Sequence, residues 1–371
     1  MGSLCEVNIQ KPWIETPLHE SPTLSRAAGW YKTLATPSDS LRTLTHVYSR
    51  IFLKLENLQP SASFKSRGIG NLVLTEEAYH KAIGSTRPLH FFASSGGNAG
   101  LAAVSATSSL GYTSSVVVPE STEPSIMEKL KLNGASEVIA HGAGLLDADT
   151  YLKEVVMPQA EARGEIPVYI PPFDNGAIWE GVATMVEEIH RQMPEGERPD
   201  AIVCSVGGGG LLVGIANGME RVGWGSEVQI LAVETKGADS LYQSAQAGEI
   251  LTIPRITSIA TSLGAVRVCQ KAFDLLAHKN VTSLALEDAE AAMGCWRLAD
   301  DERIIVEPAC GVSVALAYDG RLKQLMRGVD KDKKVVIIVC GGSKISLDTL
   351  VQYRARYSER AKELAAMWAG V

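Results

Sequence analysis

Short apolar runs alternate with helix-period segments along most of the chain, and this alternation predicts an α/β fold. The predicted strands are Ile51–Leu55, Leu89–Ala93, Ser115–Val118, Glu137–Ala140, Val168–Ile170, Ala201–Val206, Gln229–Glu234 and Lys334–Val339. Runs such as Ala201-Ile202-Val203 and Val335-Val336-Ile337-Ile338-Val339 are continuously apolar, as strands covered on both faces of a parallel sheet are. Helical periodicity follows over Gly97–Leu110, Pro124–Leu132, Gly176–Arg191, Leu211–Arg221, Glu287–Ala299 and Ser346–Leu364. Met193–Arg198 is mostly polar and holds Pro194 and Gly196, which predicts a surface connection. Gly237–Gly264 has no clear period and is expected to cover part of a site. The Ser- and Thr-rich stretch Leu34–Tyr48 reads as a surface loop ahead of the first strand.

Composition narrows the class. At 371 residues the chain suits two lobes or one large α/β domain. With 46% apolar residues, 21% charged residues and a mean hydropathy of +0.05, it is an ordinary globular protein. A net charge of −7 and a pI near 5.6 argue against nucleic-acid or membrane-surface partners. No apolar stretch reaches the roughly 18–20 residues that span a bilayer. Met1–Gln10 lacks the basic-then-apolar order of a signal peptide. Cys5, Cys204, Cys269, Cys295, Cys310 and Cys340 form no C-x-x-C pair and the histidines no H-x-x-x-H pattern, which argues against structural zinc. Thiols scattered among apolar residues point to a reducing cytosol.

Four strings carry candidate chemistry. Lys65 sits in Ser63-Phe64-Lys65-Ser66-Arg67-Gly68, after the turn-like Gln59-Pro60-Ser61. A lysine is ordinarily a solvated cation with a pKa of about 10.4. Near a helix N-terminus and among small residues the ammonium form is disfavoured, and the free amine can attack an aldehyde. Ser94-Ser95-Gly96-Gly97-Asn98-Ala99-Gly100 joins a strand to a helix. It reads either as a capped turn or as a set of donors for a carboxylate. Gly207–Gly210 joins the strand ending at Val206 to the helix beginning near Leu211. A flexible turn is the plain alternative to an anion cradle of backbone amides at a helix N-terminus. The run is not G-x-x-x-x-G-K-[ST], and a phosphate of another kind fits better. Cys340-Gly341-Gly342-Ser343 closes an apolar strand at the carboxyl end where α/β ligands bind. Cys340 reads as a buried structural thiol or as a weak partner for a pyridine nitrogen.

In this order the strings resemble the β-family (fold type II) of pyridoxal phosphate enzymes, the fold of the tryptophan synthase β-subunit. Within it they are similar to the catabolic L-serine/threonine dehydratases. Further matching strings are Thr16-Pro17-Leu18, Tyr169-Ile170-Pro171-Pro172-Phe173-Asp174, Ile178-Trp179-Glu180-Gly181, Val222-Gly223-Trp224-Gly225 and Val306-Glu307-Pro308-Ala309-Cys310-Gly311, so the likeness runs from about Glu15 to the last helix. The resemblance implies two α/β lobes, each with a mostly parallel twisted sheet, and pyridoxal phosphate in the cleft between them. Residues 59–169 would form the small domain, and 1–58 with 170–371 the large one.

The same resemblance implies roles. Lys65 would hold the cofactor and act as the base. Phe64, Asn98, Gly207, Gly208, Gly209, Gly210, Leu211 and Cys340 would bind the cofactor, and Ser94, Ser95, Gly96, Asn98 and Ala99 the amino-acid substrate. Glu234, Ala238, Ser240 and Leu263 would surround a monovalent cation, K+. A cytoplasmic homodimer turning serine into pyruvate and ammonia, and threonine into 2-oxobutanoate, is the expected enzyme. β-Replacement with a second nucleophile is the alternative on the same site, and a non-catalytic cofactor-binding protein a more distant one. Two departures stand out. Lys344 replaces the family's asparagine after Cys-Gly-Gly-Ser, and Gly96 stands where related serine racemases carry a protonating serine.

Overall fold

The computed structural model describes residues 10–28, 31–34, 44–47, 49–326 and 333–369. The chain divides into two compact units, one of residues 1–14, 59–61 and 65–172, the other of 15–58, 62–64 and 173–371.

The first unit is built on a four-stranded, all-parallel sheet. Its strands run in the order Glu137–Ala140, Thr113–Val118, Leu89–Ala93 and Ile166–Tyr169. Alternation along a strand sends neighbouring side chains to opposite faces. Val117 accordingly packs with Phe92, Leu152, Val156 and Ala160 on one face, whereas Val116 and Val118 pack with Leu101, Val104 and Leu130 on the other. With both faces covered, a continuously apolar strand costs nothing in solvation. Helices Lys65–Ala82, Asn98–Ser109 and Pro124–Leu132 belong to this unit. So does a long helical run whose middle, Leu152–Val156, widens into a π-helix between α-helical Leu145–Tyr151 and Met157–Ala162.

The second unit holds a six-stranded sheet in the order Leu18–Ser21, Arg50–Lys54, Lys334–Ile338, Ala201–Ser205, Gln229–Thr235 and Val281–Leu286. Only the Leu18–Ser21 edge is antiparallel. Helix Gly176–Gln192 starts where Asn175 caps it, its side-chain oxygen accepting from the Ala177 N–H at 2.8 Å. Lys54 is fully buried, and its ammonium donates to Glu188 at 2.6 Å and to the Thr16 carbonyl at 2.6 Å. Pairing of this kind is what lets a charge remain in a core.

The α/β architecture with largely parallel sheets is as the pattern predicts, and the local differences have physical reasons. Leu44–Val47 pairs antiparallel with Tyr31–Leu34, so part of the stretch expected as a loop is strand; residues 35–43 and Tyr48 lie outside the described residues. Ser/Thr content hid that ribbon. Leu18–Ser21, with His19 and Glu20 exposed, and Val281–Leu286, mostly half-covered, are edge strands, and neither has the apolar run of a central strand. Gly237–Gly264 contains the helix Ser240–Ala247, too short for a period to emerge. Pro308–Ala315 is a helix buried on every side, which removes amphipathicity altogether. Met193–Arg198 is a connection as expected, although Met193 itself turns into the core.

Candidate active site

In the first unit, Lys65 opens the helix Lys65–Ala82. The turn before it is fastened by Ser66, whose hydroxyl accepts from the Ser61 N–H at 3.1 Å and lies 2.8 Å from the Ser61 hydroxyl. Lys65 Nζ donates to the Pro172 carbonyl at 2.9 Å. That partner is neutral and cannot titrate, so it orients the amine without fixing its charge.

Ser94–Gly97 leaves the sheet after Ala93, and Gly97 caps the helix Asn98–Ser109. Asn98 and Ala99 are buried at the first turn, while Ser94, Ser95 and Gly96 are half-exposed. A side chain on Gly100 would bring its Cβ to 1.8 Å from the Ser95 carbonyl oxygen, so the loop folds back on the helix only with glycine there. The Gly97 N–H donates to Ser95 Oγ at 3.2 Å. Ser94 points elsewhere: its hydroxyl donates to Asp149 Oδ1 at 2.5 Å. Tyr169 donates to the same oxygen at 2.7 Å, and Lys153 to Oδ2 at 2.6 Å. Burial alone would raise Asp149, but hydrogen bonds from Lys153, Ser94 and Tyr169 outweigh it and hold the carboxyl below its ordinary range.

In the second unit, Gly207–Gly210 links the strand Ala201–Ser205 to the helix Gly210–Arg221. Gly209 has φ +96°, a left-handed conformation that L side chains rarely adopt. The cradle is narrow. A Cβ would come within 2.3 Å of the Phe173 ring at Gly208, 2.4 Å of Ala272 Cβ at Gly209 and 2.8 Å of the Phe173 carbonyl at Gly210. Leu211 is buried behind it. Backbone amides at a helix N-terminus in an apolar, side-chain-free pocket suit a phosphate group.

Cys340 follows the neighbouring parallel strand, Lys334–Ile338, and its sulfur lies 3.4 Å from Ser205 Oγ. The Phe64 N–H donates to the Cys340 carbonyl at 3.2 Å, and the Gly342 N–H to the Ala62 carbonyl at 2.9 Å. Residues 62–64, which precede Lys65 in the chain, are thereby stapled to the Cys340–Gly342 turn. Cys204, Cys269, Cys295, Cys310 and Cys340 are free and buried, whereas Cys5 lies outside the described residues. Burial pushes the thiols of Cys204, Cys295 and Cys310 up, so they are neutral. The Lys344 side chain is exposed, and its backbone N–H donates to Glu307 at 3.3 Å.

Glu234 is fully buried, and its oxygens accept from the Leu241 and Tyr242 N–H groups at 3.0 and 2.7 Å. Burial outweighs those bonds and pushes its carboxyl up to about 8. Ser240 Oγ, buried at the start of the same helix, has no hydrogen-bond partner among the described residues. Ala238 is buried beside this turn, while Leu263 packs its backbone on the glycine cradle, 3.1 Å from where a Gly207 Cβ would sit. Among the described residues no group of three or more His, Cys, Asp or Glu could hold a metal ion, and no helix is long and apolar enough to cross a membrane.

Sequence reasoning passed over Asp149, Lys153, Phe173 and Ser205. Phe173 was visible only as part of the Tyr169–Asp174 string. Asp149 and Lys153 stand four apart, an ordinary helical ion-pair spacing, but the link from Asp149 to Ser94 spans 55 positions and has no local signal.

A side-chain-free glycine turn at a helix N-terminus, a lysine at a helix start and a thiol at a strand end suit one class of enzyme, and comparison with known proteins shows the family. The chain belongs to the family of pyridoxal-phosphate dependent enzymes, whose profile matches residues 9–341. It is 42% identical over 312 residues to an L-serine dehydratase of Saccharomyces cerevisiae, a match spanning 82% of this chain and 91% of the relative. It is 38% identical over 342 residues to the L-serine dehydratase/L-threonine deaminase of Bos taurus, covering 91% and 94%. Among solved structures it resembles an L-serine ammonia-lyase from Rhizomucor miehei with a TM-score of 0.79 at 31% identity, over 94% of this chain and 100% of that one.

Proposed function

We propose that the protein is a lyase that converts L-serine to pyruvate and ammonia, and L-threonine to 2-oxobutanoate and ammonia. The observation that carries this reading lies at the carboxyl ends of two adjacent parallel strands. One ends in the glycine cradle and the other in the Cys340 thiol, with Ser205 Oγ 3.4 Å from its sulfur. Phosphate and ring-nitrogen partners set one strand apart suit one flat cofactor.

Gly207–Gly210 and the N-terminus of the Gly210–Arg221 helix would hold the phosphate with backbone amides. Lys65 would hold the cofactor covalently through Nζ, and Phe64 would cover a ring face. Asn98 would donate to the ring oxygen, and Cys340 would face the ring nitrogen without protonating it fully. Bound there, pyridoxal phosphate supplies the electron sink for the bond broken at the substrate's α-carbon. The loop residues Ser95, Gly96, Asn98 and Ala99 would orient the substrate, with Ser94 beside them. Lys65 Nζ would also take the α-proton as general base. Gly96 offers no proton to the opposite face, which favours elimination over racemisation. In this reading residues 59–169 bind the substrate end and the rest of the chain the phosphate. Glu234 and Ser240, with Ala238 and Leu263, would hold a monovalent cation, which supplies the charge that a buried carboxylate otherwise lacks. The setting is cytosolic, supported by the buried free thiols, and the assembly a homodimer, the family's habit.

The test is an absorbance spectrum of the purified protein followed by L-serine in the same cuvette. A visible cofactor band with release of pyruvate is expected. A band that changes with L-serine and yields no pyruvate until a second nucleophile is supplied would replace this reading with β-replacement, and no band would overturn both.

A further inference from the structure

Two adjacent serines on the substrate loop are set to opposite polarity. A hydroxyl has one proton to give and two lone pairs with which to accept. Ser95 Oγ accepts from the Gly97 N–H, which leaves its proton for another acceptor. Ser94 is the reverse: its proton goes to Asp149 Oδ1 at 2.5 Å, the short contact of a hydroxyl on an ionised carboxylate.

We propose that Asp149 is a positioning residue that holds Ser94 as a hydrogen-bond acceptor, so that Ser95 meets the substrate's carboxylate while Ser94 meets a donor, its hydroxyl or amino group. The inference rests on the active-site reading above. Ser94 cannot serve a carboxylate in this state, because both would present only lone pairs. The device is built from three elements. Asp149 faces Lys153 from its own helical run, Tyr169 from the end of the Ile166–Tyr169 strand and Ser94 from the end of the Leu89–Ala93 strand. Lys153 also lies 4.1 Å from the centroid of the Tyr169 ring. It is carried on the π-helical turn Leu152–Val156, a distortion that functional sites often use. With Tyr169 and Ser94 both donating to Oδ1 and Lys153 to Oδ2, Asp149 has no state in which it returns the proton to Ser94 while it stays ionised.

The experiment is a double-mutant cycle of Asp149→Ala and Ser94→Ala, read as kcat/KM for L-serine and for β-chloro-L-alanine, which keeps the amine and lacks the hydroxyl. Asp149→Ala should lower kcat/KM for L-serine roughly tenfold, as expected for a lost charge-assisted contact. In the Ser94→Ala background the same change should cost no more than about twofold, since the coupling is gone. A loss confined to L-serine identifies the hydroxyl as the donor that Ser94 reads, and an equal loss with both substrates identifies the amine. Full additivity in the cycle overturns the proposal, because Asp149 would then act by some other route.

Should Asp149→Ala fail to fold, Lys153→Met at a half-exposed position serves instead. Removing the cation lets the Asp149 carboxyl rise toward its ordinary range, so the acidic fall in kcat/KM should begin at higher pH; an unmoved limb overturns the proposal. If the wild type releases pyruvate from neither substrate, the dehydratase reading has failed. If it does so and the cycle is additive, only this inference has.

Discussion

Two strand-to-helix loops of this protein, both assigned to the proposed site, are built in opposite ways. Gly207–Gly210 has no side chains and is walled by Phe173, Ala272 and Leu263, leaving only backbone amides to meet an anion. Ser94–Gly100 carries hydroxyls and an amide, and one hydroxyl is tied to the Asp149–Lys153 ion pair and the Tyr169 hydroxyl. In the proposed reading a cofactor that stays put would be served by rigid main-chain donors that cannot titrate or turn. A substrate that enters and leaves, and must be told from its analogues, needs side chains whose donor and acceptor directions are assigned by neighbours.

The largest effect is expected at Lys65, the proposed attachment point of the cofactor. Lys65→Ala should remove the covalently bound cofactor's visible band and cut turnover by at least about a thousandfold, as loss of a nucleophile does. Pyruvate release retained by that variant would remove Lys65 from the chemistry.

Next come the loops themselves. Gly208→Ala forces a Cβ against the Phe173 ring, and overpacking of this sort costs about 1–3 kcal/mol. It should weaken cofactor affinity, measured by titration of apoprotein, roughly tenfold, with KM for L-serine little changed in the saturated enzyme. Gly100→Ala collides instead with the Ser95 carbonyl and should raise KM for L-serine while the visible band stays intact. If both variants lose cofactor to the same degree, the division of labour between the loops is wrong.

A smaller effect is expected at Glu234. Its folded-state value of about 8 lies above the ordinary 4.5, so the folded chain holds a proton that the unfolded chain has lost. Stability without a cation should therefore fall as pH rises between those values and level off above about 8. K+ should offset the loss, raising the melting temperature more at the alkaline end, and removal of K+ should reverse that gain. Glu234→Gln should flatten both dependences; a K+ response that survives it would place the cation elsewhere.

The smallest change is expected at Lys344, whose side chain is exposed. Lys344→Asn should leave kcat/KM within about twofold, the ordinary result for a surface substitution. A larger shift would mean that this cation reaches the cofactor.

The sequence by itself determined the α/β class, the central strands and the backbone conditions of the site. Those features are local: a buried strand needs a continuous apolar run, and a tight anion turn needs residues without Cβ, whatever surrounds them. The Gly207–Gly210 and Ser94–Gly100 turns were legible as strand-to-helix connections for that reason, and Lys65 opens a helix as its neighbours predict. Edge strands such as Val281–Leu286 were not, because a half-covered strand has no need of an apolar signature. Only the tertiary structure decided the polarity of Ser94 against Ser95, the closing of the glycine cradle by Phe173 and the raised carboxyl of Glu234. Each depends on which distant group supplies the hydrogen bond, the steric wall or the low dielectric, and spacing along a chain does not encode that.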